Sequence, residues 1–256
     1  MKKTHLFYLC IIFFYLYVPI VVLSINAFNV NRYGLRWDGF TFKWFVAMIN
    51  NPALMDAAKN SLIVAISSAT MATFIGALGA IVIYLYRFKG RIILNGSLLT
   101  MMMIPDIIYA IALLVLFMIC GISLGFWSLL LAHTSFCLPF SVVTVLARLQ
   151  GFDPFLLNAA RDLGATEGQV LRRIVLPLLL PALIASWLLS FTLSLDDVIV
   201  SSFVTGPSFD VLPLKIFSMV KVGVKPEVNA LATIMVLISI VLVVISQYLI
   251  KEKNND

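Results

Sequence analysis

Apolar residues fall in long runs separated by short polar segments. Six of these runs are long enough to span a membrane: residues 6–28, 62–86, 92–119, 126–147, 178–204 and 230–250. A helix needs roughly 20 predominantly apolar residues to cross the hydrocarbon core, at ~1.5 Å of rise each. Lipid offers the backbone no hydrogen-bond partners, so such runs close their amides internally as helices. The pattern predicts an all-α polytopic membrane protein with six transmembrane helices. Lys2 and Lys3 precede the first run as in a signal peptide, but that run exceeds the usual apolar region of roughly 7–15 residues. No small-residue cleavage site follows it. We read it as an uncleaved first helix.

The polar segments differ in character. Residues 29–60 hold Trp37, Trp44 and Asn51-Pro52, which predicts an interfacial or short helical excursion. Residues 205–229 hold Gly206-Pro207, Pro213 and Pro226, which predicts a chain turned repeatedly. Residues 148–177 carry the densest local signals. Asp153-Pro154 places a capping residue before a proline suited to the first helical position. A short helix over 155–163 follows, with Gly164 as its stop. Thr166-Glu167-Gly168-Gln169 is a capping box that opens a second helix, running to about Leu176, and Pro177 begins the next span. A helix–glycine–helix element of this kind fits a groove on a partner, and Ala159 and Ala160 permit close approach there.

Composition supports lipid as the solvent: 62% of residues are hydrophobic and 12% charged, against about 25% charged in a soluble domain. Six spans put both termini on one side. With the N-terminus inside, the inner segments hold eleven Lys and Arg residues and the outer segments seven. The inner charges sit in short tails and tight loops, where the positive-inside rule counts most. The net charge of +6 is therefore mostly topology and requires no nucleic acid. Cys10, Cys120 and Cys137 lie in or beside apolar runs, with no metal-ligand spacing and an odd count that gives no disulfide framework. His5 and His133 stand isolated in the sequence.

Asn158-Ala159-Ala160, Gly164, Ile174, Leu176 and Pro177 resemble the cytoplasmic-loop signature of ABC-importer permeases: Glu-Ala-Ala, three residues, Gly, nine residues, Ile, any residue, Leu-Pro. Every spacing agrees, and Asn158 stands where the family usually has Glu. The stretch 191–207, Leu212-Pro-Leu-Lys-Ile216, Met103-Ile-Pro-Asp-Ile107 and the N-terminal stretch through Trp44 are similar to C-type permeases of the spermidine/putrescine importer family. The resemblance thus covers nearly the whole chain. It implies a single permease domain over 1–256 with the type I, MetI-like fold and 148–177 as a coupling loop. Asn158, Ala159, Ala160, Gly164, Glu167, Ile174, Leu176 and Pro177 would dock that loop into a cytoplasmic ATPase. It also implies a bacterial inner-membrane location with cytoplasmic termini and a second, distinct permease subunit as heterodimer partner. Two cytoplasmic ATPase subunits and a periplasmic polyamine-binding protein complete the assembly, with lipid around it.

The acidic residues inside apolar runs give a separate argument about substrate. Asp106 lies in the third run behind Pro105, ~21 Å along a straight helix and hence near mid-membrane. Asp196 and Asp197 interrupt the fifth run. An aspartate at the centre of a span costs about 2.5–3.5 kcal/mol on insertion scales, and no Lys or Arg in these runs is placed to neutralise them. Carboxylates along a path suit a flexible polyamine with separated ammonium groups. Tyr109 and Trp44 could add cation–π contacts of ~0.5–2 kcal/mol each. With Ser194 they complete the expected path: Trp44, Asp106, Tyr109, Ser194, Asp196 and Asp197. The bland reading is that some of these acids are protonated, cap helices or pair with a partner subunit. Being adjacent, Asp196 and Asp197 sit ~100° apart on a helix and do not both face a pore.

No phosphate-binding GxxxxGK[ST] loop, hydrolase set or metal constellation occurs in the sequence. We therefore expect a transport subunit that is not itself an enzyme and binds no cofactor, with ATP and Mg held by the partner ATPase. Two readings compete with polyamine import. One is a permease of the same fold for another solute, such as thiamine or an amino acid. The other is a secondary transporter or channel driven by an ion gradient, which would explain buried aspartates but not the loop signature.

Overall fold

The computed structural model describes residues 3–32, 34, 36–223, 226–237 and 240, and these are helical with no strand among them beyond the isolated bridge between Asn29 and Phe40. The helices are α1 (Lys3–Ala27), α2 (Lys43–Ile49), α3 (Pro52–Leu85), α4 (Arg91–Met103), α5 (Asp106–Ile119) and α6 (Phe126–Gln150). They continue as α7 (Pro154–Asp162), α8 (Glu167–Val170), a π-helical turn (Leu171–Val175), α9 (Leu176–Asp196), α10 (Ile199–Val204), α11 (Leu212–Val222) and α12 (Pro226–Leu237). Two compact units are present, one of residues 57–214 and one of 1–56 with 215–256.

Among the described residues four helices are apolar and long enough to span by themselves: α1, α3, α6 and the stretch Glu167–Asp196. The expected third span is not one straight helix. α4 and α5 together are apolar and long enough for a span but meet at an angle of 110°. Pro105 has no N–H to donate and disfavours helical geometry at the residue before it. Ile104 accordingly takes an extended conformation (φ −68°, ψ 131°), and α4 stops at Met103. The depth of ~21 Å expected for Asp106 assumed an unbroken helix, and that assumption fails. Asp106 is instead the first residue of α5.

The fifth span also differs from expectation. It does not begin at Pro177, because one helical path runs from Glu167 to Asp196. Pro177 cannot donate to the carbonyl four residues back, and the wider π turn just before it absorbs the missing bond. Of the expected sixth span, 230–250, the described residues reach Leu237 and include 240, and the rest lies outside them.

In the unit 57–214 the helices approach closely through small residues. Ala65, Ala69, Ala72 and Ala80 on α3 are fully buried. A Cβ added to Gly76 would stand 2.3 Å from Ser141 Oγ and 3.1 Å from the Val142 backbone nitrogen on α6. Only glycine lets the two backbones meet there, which is how membrane helices gain contact when lipid gives no hydrophobic drive between them. Ser186 on α9 donates to Ser141 at 2.7 Å, tying the third helix to the same point. One apolar cluster joins α3, α4, α6 and α9 to the 154–175 segment through Ile83, Leu98, Val145, Ala160, Val170 and Leu179. A second packs α5 and α6 against α10 through Ala110, Phe117, Leu129, Ala132, Val200 and Val204.

The other unit contains α1, whose side chains are mostly exposed within the chain, as befits a surface facing lipid or another subunit. Phe28, Phe40, Phe42 and Phe45 stack edge-on and face-on with centroids 4.9–6.0 Å apart. Asn51 donates to Glu227 at 3.1 Å.

Candidate functional site

The segment between α6 and α9 forms for the local reasons its sequence gives. Asp153 caps α7, its carboxylate accepting from Phe155 N at 2.9 Å, with Pro154 in the first turn. Gly164 turns the chain at φ +82°, in the left-handed region. Thr166 and Gln169 form the reciprocal capping box of α8. Arg161 clamps Glu167 across the turn with two bonds of 2.9 and 3.1 Å, and that carboxylate raises the guanidinium's pKa above its usual value, by hydrogen bonding first and charge second. Ala160 is buried and Ile174 partly so in the adjacent apolar cluster, which roots the segment. Phe155 and Leu163 stand 78% and 88% exposed, apolar side chains left for something else to cover. Ala159, Leu176 and Pro177 are exposed as well. Asn158 lies on α7.

The expected path residues divide between the two units. Trp44 belongs to the unit of 1–56 with 215–256, where its indole donates to the Asn29 carbonyl at 2.8 Å and the Lys43 ammonium lies 5.4 Å from its ring centre. Asp106, Tyr109, Ser194, Asp196 and Asp197 all belong to 57–214. Asp106 is exposed in the first turn of α5, and Asp196 is exposed at the last residue of α9. Neither has an ion-pair partner among the described residues. One turn beyond Asp106, the Tyr109 hydroxyl donates to Ser135 on α6 at 2.7 Å. Among the described residues Asp106 and Asp196 therefore have no ion-pair partner, whereas the Tyr109 hydroxyl is engaged by Ser135.

Ser194 and Asp197 take part in a buried polar network centred on a residue that the sequence left without a role. Asp197 breaks the fifth span in an extended conformation (φ −65°, ψ 123°). Its two carboxylate oxygens accept from Val200 N at 3.1 Å and Ser201 N at 2.7 Å, capping α10. His133, 2% exposed on α6, places Nε2 3.5 Å from Asp197 Oδ2 and 3.1 Å from Ser201 Oγ. Its Nδ1 lies 2.7 Å from Ser194 Oγ, and Ser68 on α3 donates to Ser194 at 3.0 Å. A carboxylate only accepts, so the consistent assignment puts the imidazole proton on Nε2 and lets Nδ1 accept from Ser194. No spacing rule finds His133, because its nearest partner in sequence, Ser194, lies 61 positions away.

A family model described as binding-protein-dependent transport system inner membrane component matches residues 72–254. The chain is 59% identical over 242 residues to the spermidine/putrescine transport system permease protein PotC of Escherichia coli (strain K12), covering 94% of this chain and 92% of that one. It is 56% identical over 248 residues to the protein of the same name from Haemophilus influenzae (97% and 96% covered). The putrescine transport system permease protein PotI of Escherichia coli (strain K12) is 38% identical over 230 residues (87% and 82%). Among solved structures, a chain of a bacterial ABC transporter that imports the acidic polysaccharide alginate superposes with a TM-score of 0.73 at 15% identity, covering 97% and 94%. The methionine ABC transporter MetNI gives 0.63 at 21% identity (77% and 94%). At those identities the structural likeness is one of fold.

Proposed function

Since the chain belongs to the family of binding-protein-dependent transport system inner membrane components, we propose that it is the membrane-spanning permease subunit of an ATP-binding-cassette importer for spermidine and putrescine. The observation that carries the substrate is the 59% identity, over nearly the full length of both chains, to a permease named for spermidine and putrescine transport. Two carboxylates without an ion-pair partner among the described residues, Asp106 and Asp196, at the ends of broken helices suit the same cargo. A passing ammonium gains a charge-assisted hydrogen bond from each without first displacing a resident cation.

The subunit works in the bacterial inner membrane with a second permease chain, two cytoplasmic ATPase subunits and a periplasmic polyamine-binding protein. ATP and Mg are held by the ATPase, and this chain carries out no hydrolysis. The 148–177 segment is the coupling loop. Its exposed Phe155 and Leu163 enter the ATPase, while Ala160 and Ile174 keep it rooted in the bundle. The helical path of 30 residues from Glu167 to Asp196 joins the docked end directly to the break beside the candidate path. A push at Glu167 is therefore delivered to Asp196 along one helical path.

The test is uptake of labelled polyamine into vesicles holding the assembled complex. ATP-dependent accumulation of spermidine or putrescine is expected. An assembled complex that instead moves thiamine or an amino acid overturns the substrate, and uptake driven by an ion gradient without ATP overturns the class. The orientation has its own check, since the proposal puts both termini in the cytoplasm. Single cysteines at 40 and 210, both exposed positions, are expected to react from outside intact cells, and those at 89 and 168 are not. The reverse pattern would falsify the assignment.

A further inference from the structure

We propose that His133 is a positioning residue for the substrate path: it holds the α9–α10 break so that Asp196 faces outward and Asp197 faces inward. The break needs a restraint on both sides. A helix that stops at Asp196 and resumes at Ile199 has two orphan ends, and the chain between them could turn either carboxylate toward the path. Asp197 settles one end by capping α10 with both oxygens, which fixes its carboxylate inside, with its side chain 8% exposed. Capping a single N–H does not require a charge, since Ser or Asn does as much with one oxygen, but here both oxygens accept. A carboxylate in that place needs a counterpart, and His133 Nε2, 3.5 Å from Oδ2, supplies one. Its two nitrogens reach opposite sides of the break, Ser194 before it and Ser201 with Asp197 after it. Ser68 on α3 extends the restraint to a third helix. With Asp197 held inward, its neighbour Asp196 is left exposed.

The predicted effect on uptake rests on the polyamine reading, but the positioning itself does not. The test therefore reads both in the full assembled transporter. Asp196→Cys is introduced with Cys10, Cys120 and Cys137 replaced by alanine, and its rate of modification by a cationic methanethiosulfonate is measured. Adding His133→Leu is expected to change that rate by about tenfold or more, the factor that goes with one hydrogen bond to a charged partner. His133→Gln, whose amide nitrogen stands where Nε2 was and so keeps the Asp197 side, is expected to restore it to within about threefold. His133→Asn, which keeps only the Ser194 side, is expected to restore less. In the chain with Asp196 intact, the same series should raise KM for polyamine about tenfold in Leu and less in Gln, with Vmax changed little. Equal modification rates with His133 and Leu overturn the proposal. If the Leu variant fails to assemble, the Gln and Asn variants decide, and Asn matching or exceeding Gln overturns it. Wild-type complex that assembles but takes up no polyamine sinks the substrate reading and leaves the modification rates to judge His133.

Discussion

Asp196→Asn and Asp106→Asn are each expected to abolish most polyamine uptake while the complex assembles normally. The substitution keeps size and most hydrogen bonding and removes only the charge. Both carboxylates are exposed within the chain and neither has an ion-pair partner among the described residues, so the fold has little to lose. A contact between a carboxylate and an ammonium contributes ~1.5–3 kcal/mol, which corresponds to roughly 10- to 150-fold in affinity or rate. Asp197→Asn should also impair uptake, but by another route. Its carboxylate caps α10 and faces His133, so one of two accepting oxygens becomes a donor where two backbone N–H groups already point. That variant should melt at lower temperature as well, a signature absent from the other two. Radiolabelled uptake beside a thermal assay separates the cases. Full uptake in Asp106→Asn and Asp196→Asn leaves the substrate resting on sequence identity alone.

Much of this arrangement is legible in the sequence, for reasons that differ by element. α1, α3 and α6 follow from apolar length, which lipid makes decisive. The segment between α6 and α9 follows from Asp153-Pro154, Gly164 and the capping box, all signals confined to neighbouring residues. What fails depends on direction or distance. Pro105 announces that the third span is weakened, but the 110° bend it introduces depends on how α5 packs against α10. Pro177 reads as a helix start, yet a π turn lets the helix pass through it. The adjacency of Asp196 and Asp197 says that both cannot face one way, but not which one turns inward. The deciding residue, His133, lies 64 positions before Asp197 and looks isolated in one dimension. Polar networks closed by side chains from separate helices leave no periodic trace.

Gly164→Val is expected to disconnect ATP hydrolysis from transport without unfolding the subunit. Gly164 holds φ +82°, which an L-residue adopts at a cost of ~1–2 kcal/mol and a β-branched one with more difficulty. No atom lies within 4 Å of where its Cβ would stand, so the effect comes from the backbone and not from a clash. The bundle is unaffected, because Ala160, Val170 and Ile174 anchor the segment on either side of the turn. What changes is the angle between α7 and α8, which the Arg161–Glu167 clamp spans at 2.9 Å. A penalty of ~1–2 kcal/mol lowers the population of the docking-competent turn about 5- to 30-fold. Polyamine uptake and substrate-stimulated ATPase activity should therefore fall together and by similar factors. Gly164→Asn provides the contrast, since asparagine enters the left-handed region more readily than other side chains and should retain most of both activities. Normal stimulation in the valine variant would show that this turn is not where hydrolysis reaches the membrane. Loss in both variants alike would point to the glycine's lack of a side chain, with Phe155 and Leu163 then docking in a cleft too tight for any Cβ between them.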